Sequence, residues 1–160
     1  MKTTIEQLRK ELLETVEFSA TLVKDNYDPN TKEGRYGASE WSITIRVDNR
    51  SFTTKYFCGP AYRTKPDSKL SYNKFSIYNA EILSRTKPIP PKIDDVFYCL
   101  TSDARYVSNG ESFEDFCCEL GYDTDSRQAE RNYHDCISTM MNLKRLGFDL
   151  NELNELFTDY

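Results

Sequence analysis

Hydrophobic positions change their spacing several times along this chain, and each change marks an element. Thr4 can cap a helix with Gln7 as its partner, and Ile5, Leu8, Leu12 and Leu13 follow at helical spacing. From about Thr15 the period becomes two. Val16, Phe18, Ala20 and Leu22 alternate with Glu17, Ser19, Thr21 and Val23, which predicts a half-buried strand. Residues 26–37 hold turn formers and no period, and read as a loop. Trp41, Ile43, Ile45 and Val47 then alternate with Ser42, Thr44 and Arg46, and Asp48-Asn49-Arg50 turns the chain. Residues 51–58 return with Phe52, Thr54 and Tyr56 on one face. The three strands predict an antiparallel meander that needs helices over one side.

The middle of the chain is less regular. Residues 59–70 are loop by composition. Within 71–85, Phe75 and Ile77 start a period of two that Asn79 breaks, which fits either a short strand or an irregular insertion. Lys87-Pro88-Ile89-Pro90-Pro91 forces extended backbone. Pro91 then suits the first turn of a helix through about Asp103, with Ile93, Val96, Phe97 and Leu100 inward.

Residues 112–133 are the best-specified stretch. Ser112 is an N-cap with Asp115 three residues on, and Phe113, Phe116, Cys117 and Leu120 supply one apolar face. Gly121 stands where a left-handed residue ends a helix, and Tyr122 is the closing apolar contact. Asp125 or Ser126 caps the next helix, which runs to about Leu146 with Ala129, Tyr133, Cys136, Ile137, Met140, Leu143 and Leu146 on its inner face. Gly147 stops it, and Asp149 with Glu152 opens a last short helix carrying Leu150, Leu153, Leu156 and Phe157. The expected fold is a single α+β domain over residues 1–160, a three-stranded antiparallel sheet packed against a helical C-terminal half.

Charge divides the chain more sharply than its total of −5 indicates. Residues 1–90 carry fifteen Lys or Arg against eleven Asp or Glu, whereas residues 91–160 carry six against fifteen, a net of −9. Such asymmetry marks either candidate partner surfaces or simply a pair of solvated faces. No apolar run approaches the roughly 20 residues of a membrane span, and the charged N-terminus lacks the apolar core of a signal peptide. Five cysteines without framework spacing read as free thiols in a reducing compartment, so the expected location is the cytosol.

Candidate chemistry is sparse. Asp123-Thr124-Asp125 is a fragment of a calcium loop that lacks the glycine and the closing glutamate, and it reads as capping. Cys117, Cys118, His134 and Cys136 contain no C-x-x-C pair, and adjacent helical cysteines point about 100° apart, so no metal is expected. His134 is the one histidine, and no phosphate loop, G-x-S-x-G or H-E-x-x-H occurs, so neither catalytic residue nor cofactor is expected. Catalysis through His134 is the weakest of three functional readings. A stronger one uses region 46–87, where Arg46, Lys55, Arg63, Lys65, Lys69 and Lys74 interleave with aromatic residues, the composition of a single-strand-binding surface. The third places Asp94, Asp95, Glu114, Asp115, Asp123 and Asp125, all at predicted helix starts, on a partner-binding surface.

Two segments carry a family resemblance. Asp95, Val96, Cys99, Leu100, Ser102, Asp103 and Ala104 follow the pattern D-V-x-x-C-L-x-S-D-A. Ser112, Phe113, Glu114, Phe116, Cys117, Glu119, Gly121, Tyr122, Asp123, Asp125, Ser126, Arg127 and Ala129 follow S-F-E-x-[FW]-C-x-E-x-G-Y-D-x-D-S-R-x-A. Together they resemble the C-terminal half of a family of small proteins encoded by phages, prophages and related bacterial elements. The likeness is close over about a third of the chain. The 62–85 stretch is longer than that family's usual linker, and the Trp41 strand is only loosely similar. The family offers no catalytic residue to carry over. The resemblance implies an accessory protein of a mobile element, acting in the host bacterial cytoplasm. It would bind and inhibit a bacterial defence protein or nucleoprotein complex, most plausibly a CRISPR-Cas effector, with nucleic-acid contact through region 46–87 as the alternative.

Overall fold

A computed structural model describes residues 4–65 and 76–157. It is an α+β fold, with a three-stranded antiparallel sheet in the order β1-β2-β3 and six helices that fall mostly in the C-terminal half. The strands are β1 (Glu17–Asp25), β2 (Ser39–Val47) and β3 (Arg50–Cys58). The helices are α1 (Ile5–Glu14), α2 (Ile77–Leu83), α3 (Ile93–Arg105), α4 (Phe113–Leu120), α5 (Arg127–Arg145) and α6 (Leu150–Phe157). The chain divides into two compact units built from separated stretches. A helical unit takes Met1–Glu17, Arg46–Phe52 and Lys92–Tyr160, and a sheet unit takes Phe18–Ile45 and Thr53–Pro91.

In the helical unit, α3 packs on α5 and α6, α1 on α6, and α4 on α5. Phe97 of α3 sits at the centre, edge-on to Phe148 at 5.6 Å and against Phe157 at 5.5 Å. Val96, Leu100, Ala104, Leu143, Leu153 and Leu156 complete this core. The predicted caps form as hydrogen bonds. The hydroxyls of Thr4, Ser112 and Ser126 accept from the backbone N–H of Gln7, Asp115 and Ala129, and the Asp149 carboxylate accepts from Asn151 and Glu152. Gly121 is left-handed at φ 75°, and the Tyr122 N–H reaches the Cys117 carbonyl at 2.8 Å, the Schellman closure.

Two details of this unit differ from the sequence reading. No residue of α1 is fully buried, and Ile5 and Leu8 are exposed, because the helix turns Arg9, Leu12 and Leu13 inward instead. The Arg9 guanidinium explains the rotation. It lies over the rings of Tyr98 and Phe157, at 5.2 and 5.6 Å, and its Nε–H donates to the Leu156 carbonyl at the C-terminal end of α6. Pro91 also stands outside α3, one residue before the N-cap Lys92.

In the sheet unit, Trp41, Ile43 and Ile45 of β2 are buried, as their alternation predicts. β1 follows its alternation only through Ala20, and beyond that point both faces are exposed, Leu22 and Val23 included. The start of the irregular 71–85 stretch lies outside the described residues, and from Ile77 the chain is helical rather than extended. Ser76 caps α2 by accepting from the Asn79 N–H at 3.1 Å. Asn79, Ala80 and Leu83 turn inward, and Ile77 is 90 % exposed. The asparagine that breaks a period of two is thus on the inner face of a helix.

Candidate partner-binding surface

Each of the two charge-based readings meets a different fate in the folded chain. In the sheet unit, two arginines are drawn into the fold, while Lys24, Lys32, Lys55, Lys65, Arg85 and Lys87 stay exposed. Arg63 is only 7 % exposed. Its Nη1–H donates to the Asp25 carboxylate at 2.8 Å, its Nε–H to the Thr86 hydroxyl at 3.1 Å, and its Nη2–H to the Thr86 carbonyl at 2.9 Å. The guanidinium also lies 4.3 Å from the centre of the Tyr27 ring. A bridge between Arg63 and Pro88 fixes this arrangement, with the Thr64 N–H on the Lys87 carbonyl and the Ile89 N–H on the Tyr62 carbonyl. Arg63 is therefore a structural cation, buried and paired, and it is corrected out of the nucleic-acid set. Arg35 behaves alike, 4 % exposed with its Nε–H on the Pro29 carbonyl at 2.9 Å. Of the remaining nucleic-acid candidates, Arg46, Lys55 and Lys65 are exposed, and Lys69 and Lys74 lie outside the described residues.

The turn between β2 and β3 uses two more arginines. The Arg50 Nη1–H donates to the Arg145 carbonyl at 3.1 Å, and the Arg145 Nη2–H donates to the Ser51 carbonyl at 2.9 Å. Both cations thereby sit at the negative end of α5.

In the helical unit, the acidic side chains stay outside. Asp94 and Asp95 occupy the first turn of α3, Glu114 and Asp115 that of α4, and Asp123 and Asp125 the loop before α5. All six are exposed. Asp94 also borders an open cleft of about 440 Å³, shared with Glu6, Arg9, Lys10, Leu13 and Glu14. Fourteen carboxylates stand between Asp94 and Glu155. Among the described residues none has a lysine or arginine nitrogen within 4 Å, and Glu130 has the imidazole of His134 at 3.9 Å. This surface is uncompensated negative charge.

Partial burial of the Asp103 carboxyl, together with the charge of Asp135, raises its pKa above the ordinary carboxylate value, although the residue as a whole is exposed. Burial pushes the Cys136 thiol up to about 12, with Asp103 and Asp135 adding to it. Burial, and then Asp123, likewise raises Cys117. Both thiols are protonated near neutrality and act as small core residues. His134 is exposed and lies beside the Tyr133 ring. Among the described residues no three His, Cys, Asp or Glu side chains stand together as a metal site, and no helix is long and apolar enough to cross a membrane.

The buried basic pairing of Arg63 was not visible in its surroundings, because its partners lie 38 and 23 positions away in sequence. Comparison with family models, with curated proteins and with solved structures found no match.

Proposed function

We propose that this protein is a non-catalytic binding protein whose acidic helical surface docks on a basic, nucleic-acid-handling protein. The observation that carries this reading is the set of exposed carboxylates from Asp94 to Glu155 without lysine or arginine partners. Negative charge at this density repels phosphates and steers the chain toward a positive groove, such as one that holds nucleic acid. The likeness of residues 95–104 and 112–129 to proteins of phages and prophages extends the proposal to inhibition of a bacterial defence protein, a CRISPR-Cas effector foremost. The basic region 46–87 is the second reading, and the inward turn of Arg63 weakens it.

The test is reconstitution. Purified protein added to an effector ribonucleoprotein should inhibit target cleavage at near-equimolar ratios, and His134→Gln should inhibit within a few-fold of the parent. Loss of roughly 100- to 10,000-fold in a folded His134→Gln variant would favour catalysis instead.

A further inference from the structure

We infer that the aromatic face at the α4–α5 corner is the docking site for an arginine-bearing segment of the partner, an inference that rests on the binding reading above. Four rings run in contact across this corner. Tyr122 stacks on Phe116 at 6.2 Å, Phe116 meets Tyr133 at 5.2 Å, and Tyr133 meets Phe113 at 5.5 Å. Only Phe116 among them is buried; Phe113 and Tyr133 are half-buried, and Tyr122 is 39 % exposed. The cluster as a whole has three buried members, Val107, Phe116 and Cys136, against six partly buried hydrophobic side chains packed around them. More of this apolar cluster stands at its rim than in its centre. An apolar cluster so open at its rim is the anatomy of a surface that a partner completes.

The surroundings choose the partner's chemistry. Asp123 and Asp125 follow Tyr122 in the loop at the corner, and Glu114 and Asp115 stand on the outer side of α4. Among the described residues all four are exposed without a lysine or arginine partner. Gly121 has nothing within 4 Å of where a side chain would begin, so the backbone of the corner is open to close approach. The two tyrosine hydroxyls are already engaged. Tyr133 donates to the Glu111 carbonyl at 2.8 Å, and Tyr122 accepts from the Asn132 amide at 3.2 Å. These bonds hold the two rings in place, and Tyr122, stacked on Phe116 and 39 % exposed, is the ring of the four most open to a partner. A ring face attracts a cation, and a carboxylate rim accepts the N–H groups of a planar guanidinium. The combination favours arginine over the compact, strongly hydrated ammonium of lysine. Charge complementarity excludes an acidic occupant and disfavours a purely apolar one.

The experiment uses the full chain and two fluorescent peptides of equal length, oligoarginine and oligolysine, titrated at low and physiological salt. Oligoarginine should bind several-fold tighter than oligolysine. Tyr122→Leu keeps the apolar bulk but removes the ring face, and should weaken oligoarginine by about 3-fold or more, the size of a surface cation–π contact. Asp123→Asn with Asp125→Asn should weaken both peptides. Glu152→Gln with Glu155→Gln, on α6, should change either by less than about 2-fold, as expected for charges away from the contact. Backbone amide signals of residues 121–125 should shift on addition of oligoarginine. Equal losses from the α6 variant and the corner variants would overturn the docking site while leaving the acidic-surface reading in place. No binding of either peptide at low salt would overturn both. A concentration-dependent dimer that Tyr122→Leu abolishes would assign the face to a second copy of this chain, and would overturn the inference.

Discussion

The sheet unit and the helical unit treat charge in opposite ways. In the first, Arg35 and Arg63 are buried and hydrogen-bonded, and Arg63 holds Asp25, Thr86 and the Tyr27 ring together. In the second, thirteen of the fourteen acidic residues between Asp94 and Glu155 are exposed, and none of the fourteen has a lysine or arginine partner among the described residues. A basic count in residues 1–90 therefore overstates the positive surface by Arg35 and Arg63, whereas all but one of these acidic residues are exposed. Charge that a fold buries and pairs is withdrawn from partners, and charge that it leaves exposed is available to them.

The largest expected effect breaks this contrast on the buried side. Arg63→Met removes the cation from a site where the Asp25 carboxylate and the Thr86 carbonyl and hydroxyl depend on it. Asp25 is partly open to water, so the cost should fall at the low end for a broken buried pair, about 3 kcal/mol. Denaturant unfolding measures it, and an unchanged midpoint would mean that Arg63 is an ordinary surface residue. Next in size is Gly121→Val, which forces a β-branched side chain into a left-handed conformation. Since a side chain there meets no neighbour, the expected loss of about 1–3 kcal/mol is backbone strain alone. Gly121→Asn should recover much of it, because asparagine tolerates this region.

A smaller effect, of opposite sign, is expected on the exposed side. Burial and the Asp135 charge raise the Asp103 pKa in the folded chain, so the folded state binds protons more readily there than the unfolded one. The contribution of Asp103 to stability is thus present at low pH and lost as pH rises through its folded pKa. Asp103→Asn should raise the melting temperature slightly at neutral pH, and the gain should vanish in acid. A gain independent of pH would contradict the charge origin.

What the sequence made legible follows the range of the interactions involved. The helix corner at 112–126 could be read because its determinants are local: Ser112 caps three residues ahead, Gly121 reverses the chain, and Ser126 caps again. The β2–β3 hairpin and the α5 core face could be read for the same reason, as one period carries each. The inner face of α1 could not. Arginine looks like a solvent residue, and only the distant rings of Tyr98 and Phe157 turn Arg9 inward. α2 was hidden because Ile77 and Tyr78, which open it, face solvent, while Asn79 faces in. Among the candidate site residues, the six acids stand at the surface as their helix-start positions predict. The rim of half-buried rings around Phe116 becomes evident only once α4 and α5 are packed together.

The central claim, that the exposed charge serves a protein and not a nucleic acid, is tested most directly by titrating labelled single-stranded RNA or DNA at low and moderate salt. A surface that neutralises phosphates loses affinity with a slope of about −0.7 per contact on single strands. The net of −9 over residues 91–160 and the burial of Arg63 predict weak or absent binding even at low salt. Charge reversal at Lys55, Lys65, Lys69 and Lys74 should then change nothing measurable. Tight binding with a steep salt slope, abolished by those four reversals, would contradict the account and make the basic region the functional surface.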